Sequence, residues 1–419
     1  MALPNTLTSS LARLRPARGG HRLSTTRPKA PAPTYASGKP NPLAHLSPDQ
    51  IERIGAELDE IRQEVLDSRG ERDANYIRRL IRVQRSLELV SRTVLLFSKY
   101  WPAWVVGTTG LSLSKILENM EIGHNVLHGQ WDWMRDPKVH STSWQWDMAS
   151  PSAQWQQAHN VQHHTFTNVL GKDEDLGFNI LRVDPAQKWE PGNLVQPLTN
   201  LLNAVFFQYG VAIHDLGTPA LKRGERDRAT YLADLRTMLK KAGRHAFRDY
   251  VAHPAVSGPS AVPTLLANAT ANLVRNLWAH TVIFCGHLPS GVETFEVEAI
   301  DDETRGEWYV RQMLGSGNIS GGPMMHLMTG NLSYQIEHHL FPDLPSNRYA
   351  EVAPRVQALM ERYGLRYVSG PLYKQAASAW GKVFRYSLPN RGQRRATLRR
   401  LARRVLPRVR VPESRMLPA

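Results

Sequence analysis

The chain has 419 residues, 42% of them hydrophobic, and carries 52 Lys plus Arg against 37 Asp plus Glu, a net charge of +15. That length allows two or three ordinary domains or one large domain with tails, and the charge favours an anionic neighbour, nucleic acid or a membrane face. The single cysteine, Cys285, excludes disulfides, thiolate zinc sites and iron-sulfur clusters held by this chain alone, and it fits a reducing compartment.

In chain order, residues 1–45 form a basic arm rich in Arg, Pro, Ser and Thr without one acidic residue, a composition that cannot bury a core. The arm resembles a transit peptide in composition but lacks the apolar stretch of a secretory signal, so it reads as a disordered, solvated arm. A helix is expected from Ser47 as N-cap and Pro48 at N1, with Ile51, Ile54, Leu58, Ile61 and Val65 on one stripe and Gly70 as its stop. A second helical stretch runs from about residue 72 into apolar residues 89–117, broken by Arg92, Lys99 and Pro102. Further apolar stretches cover 198–213 and 262–286. No window reaches eighteen uninterrupted apolar residues, so hydropathy alone makes marginal membrane spans. A helix beginning at Ser346 should turn Tyr349, Val352, Val356 and Leu359 inward, end at Gly364 and kink at Pro354. The tail, residues 389–419, carries ten arginines against Glu413, with Leu398, Leu401 and Val405 at near-helical spacing, as in an amphipathic helix on anionic headgroups.

Chemistry enters with the histidines. "GHNVLHGQW" sets His124 and His128 at i and i+4 on one helix face, "AHNVQHHTFTN" repeats the spacing with His159 and His163 and adds His164, and "GNLSYQIEHHLFPDLP" adds Gln335, His338 and His339. Any one such cluster is most simply a satisfied or solvated group. Seven of the sixteen histidines in three short clusters point instead to metal ligation, since neutral imidazole is the commonest protein metal ligand. Seven ligands exceed one tetrahedral zinc site, and no HExxH is present. A carboxylate-bridged bundle needs two ExxH motifs, whereas only Glu121 to His124 matches. A non-haem iron pair held mainly by imidazole fits best. Asp132, Asp173, Glu174, Asp175 and Glu337 lie close enough in sequence to orient the rings, with solvated surface charge as the alternative for each. Trp131, Trp133, Trp144, Trp146 and Trp155 gather between the first two clusters, either at headgroup level, flooring a tunnel, or as core aromatics.

The HxxxH, HxxxHH and QxxHH series, with its flanks "MEIGHNVLHGQWDWM" and "HHTFTNVLGKDEDLG", resembles the three histidine boxes of the membrane fatty acid desaturases, in the bacterial acyl-CoA desaturase branch, over roughly residues 46–388. The resemblance implies an all-α fold, a membrane-embedded helical bundle whose cytoplasmic helical cap carries a His-rich di-iron site. It implies an oxidoreductase that uses dioxygen to insert a cis double bond into an acyl chain carried on CoA or phospholipid. It also implies a further ligand between the second and third boxes; His287 matches best, while His280 and His326 match less well, and Gln335 stands where histidine is common. No dinucleotide motif, cluster cysteines or complete cytochrome b5 motif is present, so electrons should come from a ferredoxin- or flavodoxin-type reductase or another external partner. The expected location is the cell membrane, multi-pass, with the site facing the cytoplasm and no role for nucleic acid.

Between boxes two and three an even number of spans is required. Residues 215–250 carry nine Lys or Arg against five acids, which places them on the cytoplasmic side. Residues 198–213 are then an interfacial helix, and the membrane hairpin turns at 257–260 after a polar first arm from about 238. Two alternatives stay open: a membrane hydroxylase or other oxygenase with the same boxes, and, from another class, a b-haem electron carrier or an inactive lipid-binding paralogue.

Overall fold

The computed structural model describes residues 42–390. Most of the basic arm and the arginine-rich tail lie outside the described residues. The last residues of the arm are ordered: Leu43 and Leu46 pack on the core, and His45 Nε2 donates to the Tyr363 carbonyl at 2.8 Å.

α1 (Pro48–Asp67) begins as its sequence dictates. Ser47 and Gln50 exchange side-chain and backbone hydrogen bonds in a capping box, and Ile51, Ile54, Leu58, Ile61 and Val65 are all buried. Each such side chain contributes roughly 1.5–3 kcal/mol on leaving water. The helix stops at Ser68, however, and Gly70 serves as the N-cap of α2 (Glu71–Leu95). The charged run after Gly70 supplies Asp73, whose carboxylate accepts from the Gly70 N–H at 3.3 Å, so the second helix starts close to residue 72, where the sequence places it.

α2 folds back on α3 (Trp101–Leu117), with Gly107 and Gly110 set against Leu95 and Ser91 so closely that a Cβ at either would collide. A second hairpin follows. α4 (Gln196–Val205) and α5 (Phe207–His214) cover residues expected to form one helix and are divided at Phe206. α6 (Arg228–Phe247) continues through a π turn at Arg248–Ala252 and the short helix His253–Val256, turns at 258–260, and returns as α7 (Ala261–His287). The turn lies where the sequence places it; the first arm starts about ten residues earlier. The two hairpin tips touch, with Ser98 Oγ 2.9 Å from Thr264 Oγ1 and the Lys99 N–H donating to Ser260 Oγ at 3.2 Å.

Polar residues cross-link the hairpins inside. The Lys115 ammonium reaches Asp147 at 2.9 Å and Asp249 at 3.0 Å, and Arg92 reaches Asp249 at 3.0 Å. Burying these charges is tolerable only because each is paired. No described helix is long and apolar enough to cross a membrane by itself.

The remaining elements form a cap. α8 (Arg305–Leu314) crosses α1 where Gly55 meets Gly306, and α10 (Tyr349–Arg362) packs Tyr349, Val352, Val356 and Leu359 inward against both. α10 runs on through Pro354, and Gly364 follows it at φ 65°. α9 (Gln335–Leu340) lies beneath, and α11 (Leu372–Ser387) is the last helix among the described residues. The only strands among the described residues are β1 (Asn318–Ser320) and β2 (Ser369–Pro371), a parallel pair of three residues each, so the all-α expectation holds.

Candidate metal centre

The first two boxes sit on π turns, Glu118–His124 and Gln156–His163, each continuous with a short α-helical turn. An i→i+5 hydrogen bond widens the turn, so residues four and five positions on both return to the starting face; such turns recur at functional sites. This brings His163 and His164 to the same side as His159. The third box opens α9, whose N-terminus is pinned by Asn318: its Oδ1 accepts from the Ile336 N–H at 2.8 Å.

These elements gather eight imidazoles. His124, His128, His159 and His338 bring ring nitrogens within 4.8 Å of one another, and so do His163, His287 and His339. His164 lies between the groups, stacked on His339 with ring centroids 4.4 Å apart and edge-on to His128 at 4.7 Å.

The hydrogen-bond partners assign the tautomers. Asn125 donates its amide to Glu121 and Gly330 carbonyls, so its Oδ1 is the acceptor for His124 Nδ1–H at 3.3 Å. Gln312 donates to the His164 carbonyl, so its Oε1 accepts from His339 Nδ1–H at 3.2 Å. His287 Nδ1 donates to the Gly315 carbonyl at 3.2 Å, His159 Nδ1 to Asp175 at 2.9 Å and His163 Nδ1 to Asp173 at 3.0 Å. The Tyr349 hydroxyl donates to the Phe341 carbonyl and so accepts from His338 Nδ1–H at 3.3 Å. Six rings therefore present a bare Nε2 lone pair. Two pairs of Nε2 atoms face each other: His287 with His339 at 3.2 Å, both among these six, and His124 with His128 at 3.3 Å.

Adjacent nitrogens about 2.1 Å from one metal ion are separated by roughly 3.0–3.4 Å. His159 Nε2, His338 Nε2 and both His164 nitrogens are buried without any partner. Converging lone pairs with nothing to accept a hydrogen from are what a cation resolves, and the donor set fits one. Protonation does not compete: burial, reinforced by neighbouring rings, holds His124, His128, His164, His338 and His339 well below the ordinary imidazole value.

Of the five carboxylates that the sequence offers as ring-orienting groups, two do so. Asp173 also accepts backbone N–H groups of Asn168 at 2.8 Å and Asp175 at 3.0 Å, which fixes it rigidly. Burial opposes charge on His163, but Asp173 outweighs it and raises the ring above its usual value. Asp175 joins His159 to His214, whose Nε2 donates at 2.8 Å; burial opposes its charge, yet these two hydrogen bonds hold Asp175 well below the usual carboxylate range.

The other three point elsewhere. Asp132, beyond the tight turn at Gly129, binds the Ser141 N–H at 2.7 Å and no box histidine. Glu174, between two inward aspartates, faces out to Arg223 at 3.3 Å. Glu337 lies two residues from Gln335, on the far side of α9 from His338, where it accepts from Asn318 at 2.9 Å and Tyr367 at 3.0 Å. His280 is two turns before His287, bonded to Asn200 at 3.0 Å, and belongs to neither group. His326 binds Ser333 at 2.7 Å. Gln335 does reach the centre, its Nε2 3.0 Å from His287 Nε2 and its Oε1 buried without a partner. His214, Tyr349, Gln312, Thr167 and the Gly315 carbonyl are contacts that the sequence reading missed. Only their spatial neighbours reveal them.

Beside the rings opens a cavity with mostly apolar walls. His124, His159, His163, His287 and Gln335 form one side, and Met120, Trp146, Phe178, Phe207, Val211 and Phe284 are among the apolar residues of the other. Of the five tryptophans between the boxes, Trp146 and Trp155 line this space, with Trp155 stacked on His159 at 4.5 Å. Trp131 is core, and Trp133 and Trp144 lie under Arg69 and Arg85.

Residues 99–371 match the fatty acid desaturase family. The chain is 47% identical over 353 residues to the NADPH-dependent stearoyl-CoA 9-desaturase of Mycobacterium tuberculosis, covering 83% of each chain. It is 30% identical over 220 residues to the acyl-lipid (7-3)-desaturase of Rebecca salina, covering 52% of this chain and 49% of that one. It is 26% identical over 237 residues to the mouse fatty acid desaturase 2-like protein FADS2B, covering 56% and 45%. With three histidine boxes converging beside an apolar cavity, this chain belongs to the fatty acid desaturase family.

Proposed function

We propose that the protein is a membrane acyl-CoA desaturase that holds two iron ions through His124, His128, His159, His163, His164, His287, His338 and His339. The observation that carries the reading is the convergence of the box-histidine Nε2 atoms beside a buried apolar cavity. When bound, the iron pair supplies reductive activation of dioxygen. Overall, one CH2–CH2 pair, dioxygen, two electrons and two protons become one cis double bond and two waters. The electrons come from a separate donor, with NADPH as their source by analogy with the mycobacterial relative, and a long saturated acyl-CoA is the favoured substrate by the same analogy.

The protein's own residues supply position. Asp173, Asp175, Gln312, Tyr349 and the Gly315 carbonyl hold the rings by Nδ1, so that Nε2 faces inward without reorganisation. The cavity's aromatic and aliphatic wall excludes water from the chain it receives.

Membrane seating is supported by the hairpin tips, where Phe97, Trp101, Val256 and Val262 are 59, 76, 72 and 66% exposed. His124 lies 23 residues beyond Trp101 along α3 and its π turn, about 35 Å, against a hydrocarbon thickness of about 30 Å. Tips at the far face of the bilayer would thus leave the histidines at the opposite, cytoplasmic interface.

Expression in a host of defined lipid composition, with a competent electron donor supplied, followed by fatty acid methyl ester analysis, tests the activity. A new cis-unsaturated species that disappears in His163→Ala is expected. A hydroxylated product would favour the oxygenase reading instead, and no product with His163 intact would overturn both.

A further inference from the structure

We propose that Phe178 is a specificity-determining residue whose ring is the stop against which the methyl end of the acyl chain rests. The inference rests on the acyl-CoA reading above and names the part of that site that measures the chain.

The backbone singles this residue out. Gly177, Phe178 and Asn179 follow one another in the left-handed region, at φ 76°, 53° and 56°. Glycine is at ease there and asparagine tolerates it, but a bulky side chain is uncommon because its Cβ crowds the following carbonyl. The turn is also fixed at its start, since a Cβ on Gly177 would come within 3.2 Å of the buried Leu181 and Val183 side chains. The chain therefore keeps a phenylalanine in a conformation that glycine or asparagine would adopt at lower cost. A strained residue that persists in a site wall points to a use for its side chain.

Its surroundings show the use. Phe178 lines the cavity and is half-buried, stacked on Phe284 with centroids 5.7 Å apart and planes 3° from parallel, and edge-on to Phe207 at 5.7 Å and to His214 at 5.1 Å. Phe284 precedes His287 by one turn of α7, on the side of the hairpin tip. His280, a further turn toward that tip, is stacked on Phe284 at 3.9 Å and edge-on to Phe207 at 5.5 Å. The aromatic group thus closes the cavity on the side away from the cap. An acyl-CoA can bring only its methyl end to that place: the phosphates of CoA must stay in water at the cytoplasmic side, whereas a hydrocarbon terminus meets an aromatic wall without losing hydrogen bonds. Phe207 and Phe284 belong to helices, whereas Phe178 is carried by the turn Leu176–Asn179, so its ring is the one that can be resized without disturbing a helix.

The test uses the purified full chain in lipid nanodiscs, given an equimolar mixture of saturated acyl-CoAs of graded length with a competent electron donor, and the products are analysed by length. Thermal stabilisation by each acyl-CoA alone, without the donor, gives a second readout that needs no turnover. Phe178→Ala should raise the preference for a chain two carbons longer than the wild-type optimum by about tenfold in both readouts, since each methylene that finds room gains roughly fourfold in affinity. Phe178→Trp should move the optimum to shorter chains. Phe178→Asn, which suits the left-handed backbone but lacks the ring, should behave as Phe178→Ala does. Wild-type length profiles in the Ala and Trp variants would overturn the inference. So would an equal loss at every length, which assigns Phe178 to folding, or a wild-type profile in Phe178→Asn, which assigns its effect to the backbone. A wild-type chain that is stabilised by acyl-CoAs, with the shifts above in its variants, but desaturates none of them would overturn the activity reading and leave the stop in place.

Discussion

His159 and His163 show how a single outer contact sets the state of a ring. They lie four residues apart, His163 buried and His159 half-buried, and both donate Nδ1–H to an aspartate, yet desolvation dominates at His159 and lowers its basicity, while Asp173 dominates at His163 and raises it. Asp175 divides its charge between His159 and His214, whereas Asp173 accepts from one ring alone. His214 takes the larger share. Burial opposes its charge, but the Asp175 hydrogen bond raises it from 6.5 to about 9. A raised folded value means that the pair's stabilisation is complete below pH 6.5 and lost as pH rises through 9. Thermal melts of the metal-free protein from pH 6 to 10 should therefore fall across that window in the wild type, by on the order of 3 kcal/mol at most. His214→Gln should lack the fall; an equal fall in both proteins would mean that another group titrates.

At the scale of elements, the π turns and the segment before α9 depend on each other. Gly330 has φ 71°, and a Cβ there would meet the Met120 carbonyl oxygen at 2.4 Å, inside the first π turn. The Gly330 carbonyl in turn accepts from Asn125, the residue that orients His124. The first and third boxes are thereby clamped through backbone that tolerates no side chain. Gly330→Ala should cost about 2–4 kcal/mol, from left-handed backbone strain plus overpacking, and should lower metal content as well as melting temperature. A variant with unchanged melting temperature and full metal loading would show that the clamp is slack. Glu121 serves the same clamp from the other side, accepting from Tyr76 at 2.8 Å and Asn331 at 2.9 Å.

For the whole molecule, the arrangement separates three tasks along one axis: apolar hairpin tips, a cavity, and a cap of α1, α8 and α10 over the histidines. Paired charges between the hairpins, Lys115 with Asp147 and Asp249, hold the two arms in register behind the cavity wall. Such residues inside a membrane-seated bundle are expected to face each other and not lipid, as they do here. Sidedness is open to direct mapping. Cysteines introduced at positions 225 and 258, before α6 and at the tip of the second hairpin, should label from opposite faces of sealed vesicles; labelling from one face would overturn the proposed seating.

What was legible in the sequence was local. The capping box at Ser47, the buried stripes of α1 and α10, and the placing of box histidines on common helix faces follow from spacing within one or two turns, and the structure agrees with each. Imidazole as the donor type was likewise proposed from the clustering of histidines at helical spacing. The misreadings mark the limit of that reasoning. Asp132, Glu174 and Glu337 are near the boxes in sequence but aimed away, because direction depends on the turn or helix face and not on distance along the chain. His214 and Tyr349 touch the centre from 39 and 11 residues beyond the groups they bind. Gln312 reaches His339 from 27 residues before it. By itself the sequence determined which side chains could bind metal, since that is a property of residue type and local period. Which hydrogen bond fixes each tautomer, and how large a cavity the rings face, only the tertiary structure decided, because both arise where distant segments meet.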